Sequence, residues 1–93
     1  MKRLRRNDLA GRPLKVGDMV RVIGIPDLSG MSAECRAESL PVFEYLVGKY
    51  KRVAEFDELG YAWLRFKIRT GPNAGYHAVG IEPDLLRLRR HPR

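Results

Sequence analysis

The strongest constraint on the fold of this chain is the strict alternation of side-chain type over residues 63–69. Leu64, Phe66 and Ile68 share one parity, and the opposite parity carries one aromatic and three basic side chains, Trp63, Arg65, Lys67 and Arg69. A period of two residues is typical of a β-strand with one face in a core and the other towards solvent. The sequence therefore predicts a half-buried strand here.

Other short segments have the β-branched and aromatic composition of strands and are separated by residues that favour turns. We predict strands over residues 19–25, 50–56, 76–81 and 85–88, turns at 57–60 and 70–75, and one helical turn at 82–84. The mixed alternation of residues 50–56 also indicates a bulge.

Residues 27–48 interrupt the β pattern and are predicted to be partly helical. We expect one or two helical turns at 33–38, followed by a second short helix that Ser39 caps and that carries Pro41 in its first turn. Phe43, Leu46 and Val47 form one apolar stripe at helical spacing, and Gly48 is placed to end the helix. The first two strands are thus joined by a long excursion.

The chain has 93 residues and a net charge of +7, which comes from its two ends. Residues 1–15 carry a net +5, residues 86–93 carry +4, and the residues between them carry −2. This length suits one domain. We therefore predict a basic N-terminal arm at 1–15, a domain body at 16–88 and a basic tail at 89–93.

Three short motifs in order resemble those of small bacterial SH3-like barrels. Residues 16–22 (VGDMVRV) resemble the opening of the nitrile hydratase β-subunit-type and ferredoxin–thioredoxin reductase variable-chain-type barrels. Residues 48–53 (GKYKRV) are similar to the stretch that follows in such barrels, with Lys51 in place of a second glycine, and residues 81–86 (IEPDLL) resemble their closing turn. The resemblance implies a mainly β fold, a single five-stranded SH3-like barrel with the helical excursion after its first strand.

Neither catalysis nor metal binding has a characteristic residue pattern in this sequence. Cys35, His77 and His91 lack the clustered spacing of metal ligands, and His77 is expected to be a structural or solvent-edge histidine. We expect no enzymatic activity and no cofactor. The single cysteine, the lack of a long apolar run and the lack of an apolar segment after the basic start favour a cytoplasmic protein without a membrane span or signal peptide.

Two kinds of binding surface are expected from the sequence. The first is the strand face of Trp63, Arg65, Lys67 and Arg69, which has the chemistry to stack a base, hold phosphates or meet an acidic protein surface. The second is the excursion, whose Glu34, Glu38 and Glu44 are opposite in sign and which could dock a partner or cover a barrel edge. The alternative for the strand face is an ordinary solvated surface, with Trp63 either covering the barrel end or packing under the excursion of residues 27–48.

Three functions remain open on this basis. The first is a non-catalytic SH3-like interaction module that binds a protein partner as a monomer or weak oligomer. The second is a nucleic-acid-binding barrel that uses the basic strand face and basic arms, whose candidate phosphate contacts are Lys2, Arg3, Arg5, Arg6, Arg87, Arg89 and Arg90. The third is a small accessory chain of a redox or metalloenzyme complex.

Overall fold

The computed structural model describes residues 4–89, which form five strands, one α-helix and one 3₁₀ turn. In chain order these are β1 (Met19–Val22), α1 (Ala33–Leu46), β2 (Tyr50–Phe56), β3 (Ala62–Ile68), β4 (Gly75–Ile81), the 3₁₀ turn (Pro83–Leu85) and β5 (Leu86–Leu88). The prediction of a mainly β fold with a helical excursion after the first strand is confirmed. No helix within residues 4–89 is long and apolar enough to cross a membrane.

The strands form one antiparallel sheet in the order β4-β3-β2-β1-β5. β4 and β5 are its two edges, and no pairing within residues 4–89 joins them, so the sheet is open. The predicted bulge lies in β2, where Val53 pairs with Leu64 while Glu55 pairs with Trp63. Ala54 is the extra residue, and such an insertion bends the strand and increases its twist.

The alternation that predicted β3 is present in its burial. Leu64, Phe66 and Ile68 are buried, whereas Arg65 and Lys67 are exposed. The inner side of the sheet forms the core together with residues from α1 and the N-terminal segment. The buried hydrophobic residues are Leu14, Val20, Val22, Leu28, Val42, Phe43, Leu46, Val53, Ala62, Leu64, Phe66, Ile68, Ile81 and Leu86.

The prediction of two short helices is wrong, because the excursion contains one helix of 14 residues. Ser32 is its N-cap, with its hydroxyl oxygen accepting from the Cys35 N–H at 3.2 Å, so Ser39 lies inside the helix. Pro41 also lies inside it, although it lacks the N–H that would bond to the carbonyl of Ala37. Ala37 and Pro41 are both exposed, so the missing bond lies on the solvent side of α1.

The apolar stripe of α1 and the first strand also differ from prediction at their ends. Phe43 and Leu46 are buried as expected, but Val47 is the C-cap and is exposed. The positive φ of Gly48, 85°, ends the helix as predicted. β1 ends at Val22 rather than residue 25, and beyond it the Ile23 N–H still donates to the carbonyl of Leu85 at 2.8 Å, on the β5 side.

The described part of the N-terminal segment, residues 4–15, packs against the sheet. The N–H of Leu9 donates to the carbonyl of Leu86 at 2.8 Å, and Leu14 belongs to the core. Asp8 is only 3% exposed, and its carboxylate accepts the Leu88 N–H at 2.8 Å. The segment predicted as a basic arm therefore contributes to the folded body.

Candidate binding site

The predicted strand face does not present Trp63 beside the three bases as a free aromatic ring. Trp63 pairs with Gly80 across β3 and β4, and its indole lies 3.0–3.3 Å from where a Cβ on Gly80 would be. The indole Nε1 donates to Asp57 Oδ2 at 3.0 Å. Trp63 is therefore half-buried and held over β4.

The bases of this face have separate local partners. Arg65 forms an ion pair with Glu55 at 2.8 Å, and both side chains are more than half exposed. The Lys67 ammonium lies 5.2 Å from the ring centre of Tyr76, and the exposed Arg69 follows the end of β3. Because Glu55 neutralises Arg65, this face has less free positive charge than the sequence predicted.

Asp57 fixes the position of Trp63 through the turn between β2 and β3. Its Oδ1 accepts the N–H groups of Leu59 and Tyr61, both at 3.0 Å, while Oδ2 accepts from the indole. The hydrogen bond from Trp63 is the largest influence that lowers the pKa of Asp57 below its ordinary value. The sequence prediction treated residues 57–60 only as a hairpin turn and missed this role.

A groove of about 750 Å³ lies beside Trp63. Its lining residues come mainly from the loop after β1, from α1, from edge strand β4 and from the β2–β3 turn. Its apolar lining includes Leu28, Val42, Phe43, Trp63 and Val79. Four consecutive residues of β4, 77–80, line it, so the groove runs along an edge strand of the sheet.

The groove is acidic. Asp27, Glu38, Asp57 and Glu82 line it, and within residues 4–89 no ion pair joins Asp27, Glu38 or Glu82 to a base. Burial is the main cause that raises the pKa of Glu82 above its ordinary value, and the negative charges of Asp84 and Asp27 raise it further. The carboxylates therefore give the groove an electrostatic environment that is suited to a positively charged ligand.

His77 lines the groove, but its contacts are those of a structural residue. Its ring stacks on Phe66 with 5.6 Å between the ring centres, and Nε2 lies 2.7 Å from the carbonyl oxygen of Asn73. Phe66 also stacks on Tyr45 at 6.1 Å. In the described part of the chain, no three metal-binding side chains form a group that could hold an ion.

The other predicted site residues lie away from the groove. Of the three acids predicted on the excursion, Glu34, Glu38 and Glu44, only Glu38 lines it, while the other two are exposed elsewhere on α1. Arg5 and Arg6 are exposed, with the Arg6 guanidinium 4.7 Å from the ring centre of Phe56. Arg87 and Arg89 are exposed at β5. Lys2, Arg3, Arg90 and His91 lie outside the described residues.

The sequence pointed to Trp63 and Glu38 but did not bring them together. Asp27, Asp57 and Glu82 come from three separate turns, and no local pattern shows that they share one groove. The feature of the sequence that did indicate this region was the acidic excursion, which is opposite in sign to the basic strand of residues 63–69. Comparisons with family models, with curated proteins and with solved structures find no match to this chain.

Proposed function

We propose that this protein is a non-catalytic interaction module with an SH3-like barrel fold, and that its groove binds an extended, basic segment of a partner protein. The order of elements supports the fold: five short antiparallel strands, a long connection after the first, and a 3₁₀ turn immediately before the last. The three motifs that resemble bacterial SH3-like barrels lie at β1, at the start of β2 and at the 3₁₀ turn before β5.

The observation that carries the proposed function is a set of carboxylates along edge strand β4, of which Asp27, Glu38 and Glu82 form no ion pair within residues 4–89. An extended segment adds to such an edge through backbone hydrogen bonds, and its alternate side chains then enter the groove. Lysine or arginine side chains would meet Asp27, Glu38 and Glu82, while apolar side chains would pack on Trp63. Charge complementarity of this kind selects the partner and fixes its register.

Trp63 is the only tryptophan of the chain, so its fluorescence reports directly on the groove. The experiment titrates the protein with a short peptide of alternating lysine and valine, and with the same peptide carrying glutamate in place of lysine. We expect the lysine peptide alone to shift the emission of Trp63.

The variant Glu38→Gln/Glu82→Gln should weaken binding of the lysine peptide about tenfold. Charge-assisted hydrogen bonds contribute about 1.5–3 kcal/mol each, and solvent exposure of the two carboxylates reduces this contribution. The control Glu34→Gln/Glu44→Gln removes the same charge outside the groove and should change the affinity less than about twofold. Equal effects of the two double variants, or no response of Trp63 to either peptide, would contradict the proposal.

A further inference from the structure

We propose a second binding site, for single-stranded nucleic acid, on the outer face of β2, β1 and β5. Arg21 of β1 lies directly between Tyr50 of β2 and Arg87 of β5. All three side chains are exposed, whereas the neighbouring Val20 and Val22 are buried, so the alternation of β1 places Arg21 on the outer face.

A second row of cross-strand neighbours lies beside the row formed by Tyr50, Arg21 and Arg87. Met19 pairs with Arg52 of β2, and on its other side its carbonyl oxygen accepts the N–H of Arg89 at 2.9 Å. Residues 19 and 21 share one face of β1, so Arg52 and Arg89 lie on the same outer side as the first row. We call Arg21, Tyr50, Arg52, Arg87 and Arg89 the arginine face.

The arginine face contains like charges at directly opposed positions. Arg21 and Arg87 are cross-strand neighbours, and like charges at such positions destabilise a sheet. Within residues 4–89 neither side chain forms an ion pair. Because the positive charge of these two side chains is not compensated, the surface is suited to binding an anion.

The surface is concave between the arginines. A depression of about 310 Å³ is lined by Arg12, Arg21, Tyr50, Arg87, Leu88 and Arg89, and none of these described lining residues is acidic. Arg12 is held by an ion pair with Asp8 at 3.2 Å and by a hydrogen bond from its Nη2 to the carbonyl of Leu88 at 2.9 Å. One arginine of the depression is thus fixed, and the exposed ones around it carry the free charge.

The side chains of the face favour a nucleic-acid strand over a single small anion. Guanidinium groups bind phosphate oxygens in bidentate geometry, and several in a row match a backbone with regularly spaced phosphates. Tyr50 is 50% exposed, and the Arg89 guanidinium lies 5.6 Å from its ring centre. An exposed aromatic ring among bases can stack on a nucleobase, and stacking requires a base that is not already paired in a duplex.

The test measures fluorescence anisotropy of a labelled oligothymidylate of about twelve nucleotides with the full chain, starting near 50 mM salt. We expect binding that weakens steeply as salt increases. The variant Arg21→Thr/Arg87→Thr should lower the affinity at least about tenfold and reduce the slope of log K against log salt by about 1.4, which is 0.7 for each lost phosphate contact. Threonine is chosen because it suits a strand.

A second variant separates stacking from charge. Tyr50→Leu should lower the affinity at least about fivefold while leaving the salt slope unchanged, because it removes a stacking surface and no charge. The matched control Lys67→Thr/Arg69→Thr removes two positive charges near the end of β3 and should change the affinity less than about twofold. Urea unfolding of each variant checks that the domain is folded.

Four outcomes would overturn this inference. They are absence of binding near 50 mM salt, an equal loss with the Lys67/Arg69 control, full competition by polyglutamate of the same charge, and tighter binding to a duplex than to the single strand. Full competition by polyglutamate would indicate that the arginine face binds an acidic protein instead. The Glu38→Gln/Glu82→Gln variant should leave oligonucleotide binding intact, so this site and the proposed groove succeed or fail independently.

Discussion

Replacing Asp8 with asparagine should lower the free energy of unfolding by about 3 kcal/mol at neutral pH. Oδ1 of Asp8 accepts the N–H groups of Ala10 at 3.0 Å and Arg12 at 2.8 Å. Oδ2 accepts the N–H of Leu88 at 2.8 Å and lies 3.2 Å from Nη2 of Arg12. The carboxylate therefore joins the N-terminal segment to the last strand.

The magnitude follows from which of these bonds an amide can keep. The carbonyl oxygen of asparagine can still accept from Ala10 and Arg12, but its NH₂ group would face the Leu88 N–H and the Arg12 guanidinium, which are donors too. Loss of one backbone bond to a charged acceptor and of one partly buried ion pair amounts to roughly 3 kcal/mol. Domains of this size have a total stability of about 5–15 kcal/mol, so the change is large.

Urea unfolding followed by Trp63 fluorescence measures the effect, with Glu44→Gln as the control. Glu44 is exposed on α1, and its replacement should change stability by less than about 0.5 kcal/mol. A loss below about 0.5 kcal/mol for Asp8→Asn would refute the assignment of Asp8 as the link between the two segments.

The pH dependence gives a second check on the same residue. Burial alone would raise the pKa of Asp8, but hydrogen bonds from Leu88 and Arg12 and the charge of Arg12 outweigh it and leave the pKa below 3.8. The carboxylate therefore stabilises the fold fully above about pH 3.8, and this contribution is lost as the pH falls through the lowered folded value. The difference between wild type and Asp8→Asn should shrink in that range; a constant difference would refute the electrostatic explanation.

Three further predictions concern the core, the groove and one turn. Phe66→Ala should cost about 3–5 kcal/mol in urea unfolding because the ring is only 7% exposed; a cost near zero would contradict its place in the core. Glu82→Gln should raise the melting temperature at neutral pH, because the folded state disfavours the ionised carboxylate of Glu82. The increase should vanish below about pH 4.5. An increase that persists at lower pH would show that ionisation of Glu82 is not the cause. Gly60→Ala should lower the free energy of unfolding more than Gly71→Ala. Both glycines have φ near +90°, but only a Cβ at Gly60 would overlap the carbonyl oxygen of Leu4. Equal decreases for the two variants would show that backbone strain is the only cause.

The sequence predicted best the features that are set by neighbouring residues. The alternation across residues 63–69 identified β3 and its buried face, because side-chain direction in a strand depends only on parity. Gly48 was correctly predicted at the end of the helix from the helical pattern before it. The division of α1 into two helices was wrong because Ser39 and Pro41 form a valid local start signal, yet Ser32 caps a longer helix whose buried side packs on the sheet.

The missed features depend on contacts between distant parts of the chain. Asp8 bonds to Leu88, 80 residues away, so nothing near Asp8 in the sequence shows that the N-terminal segment is fixed. The position of Trp63 likewise depends on the absence of a side chain at Gly80, across the strand pair. The three bases of β3 were recognised, but the pairing of Arg65 with Glu55 required the register of β2 and β3, which the bulge at Ala54 shifts.

The net charge of +7 therefore conceals two surfaces of opposite sign, and pH distinguishes the functions proposed for them. Binding of an oligonucleotide to the arginine face would depend on guanidinium groups, which as a class keep their charge in proteins, so this affinity should not change as the pH falls. The raised pKa of Glu82 means that this carboxyl is protonated at a higher pH than an ordinary glutamate, so affinity for the lysine peptide should decrease as the pH falls towards the ordinary glutamate value of 4.5. Parallel loss of both affinities would indicate a change in the whole domain, whereas loss of peptide binding alone assigns the effect to the groove.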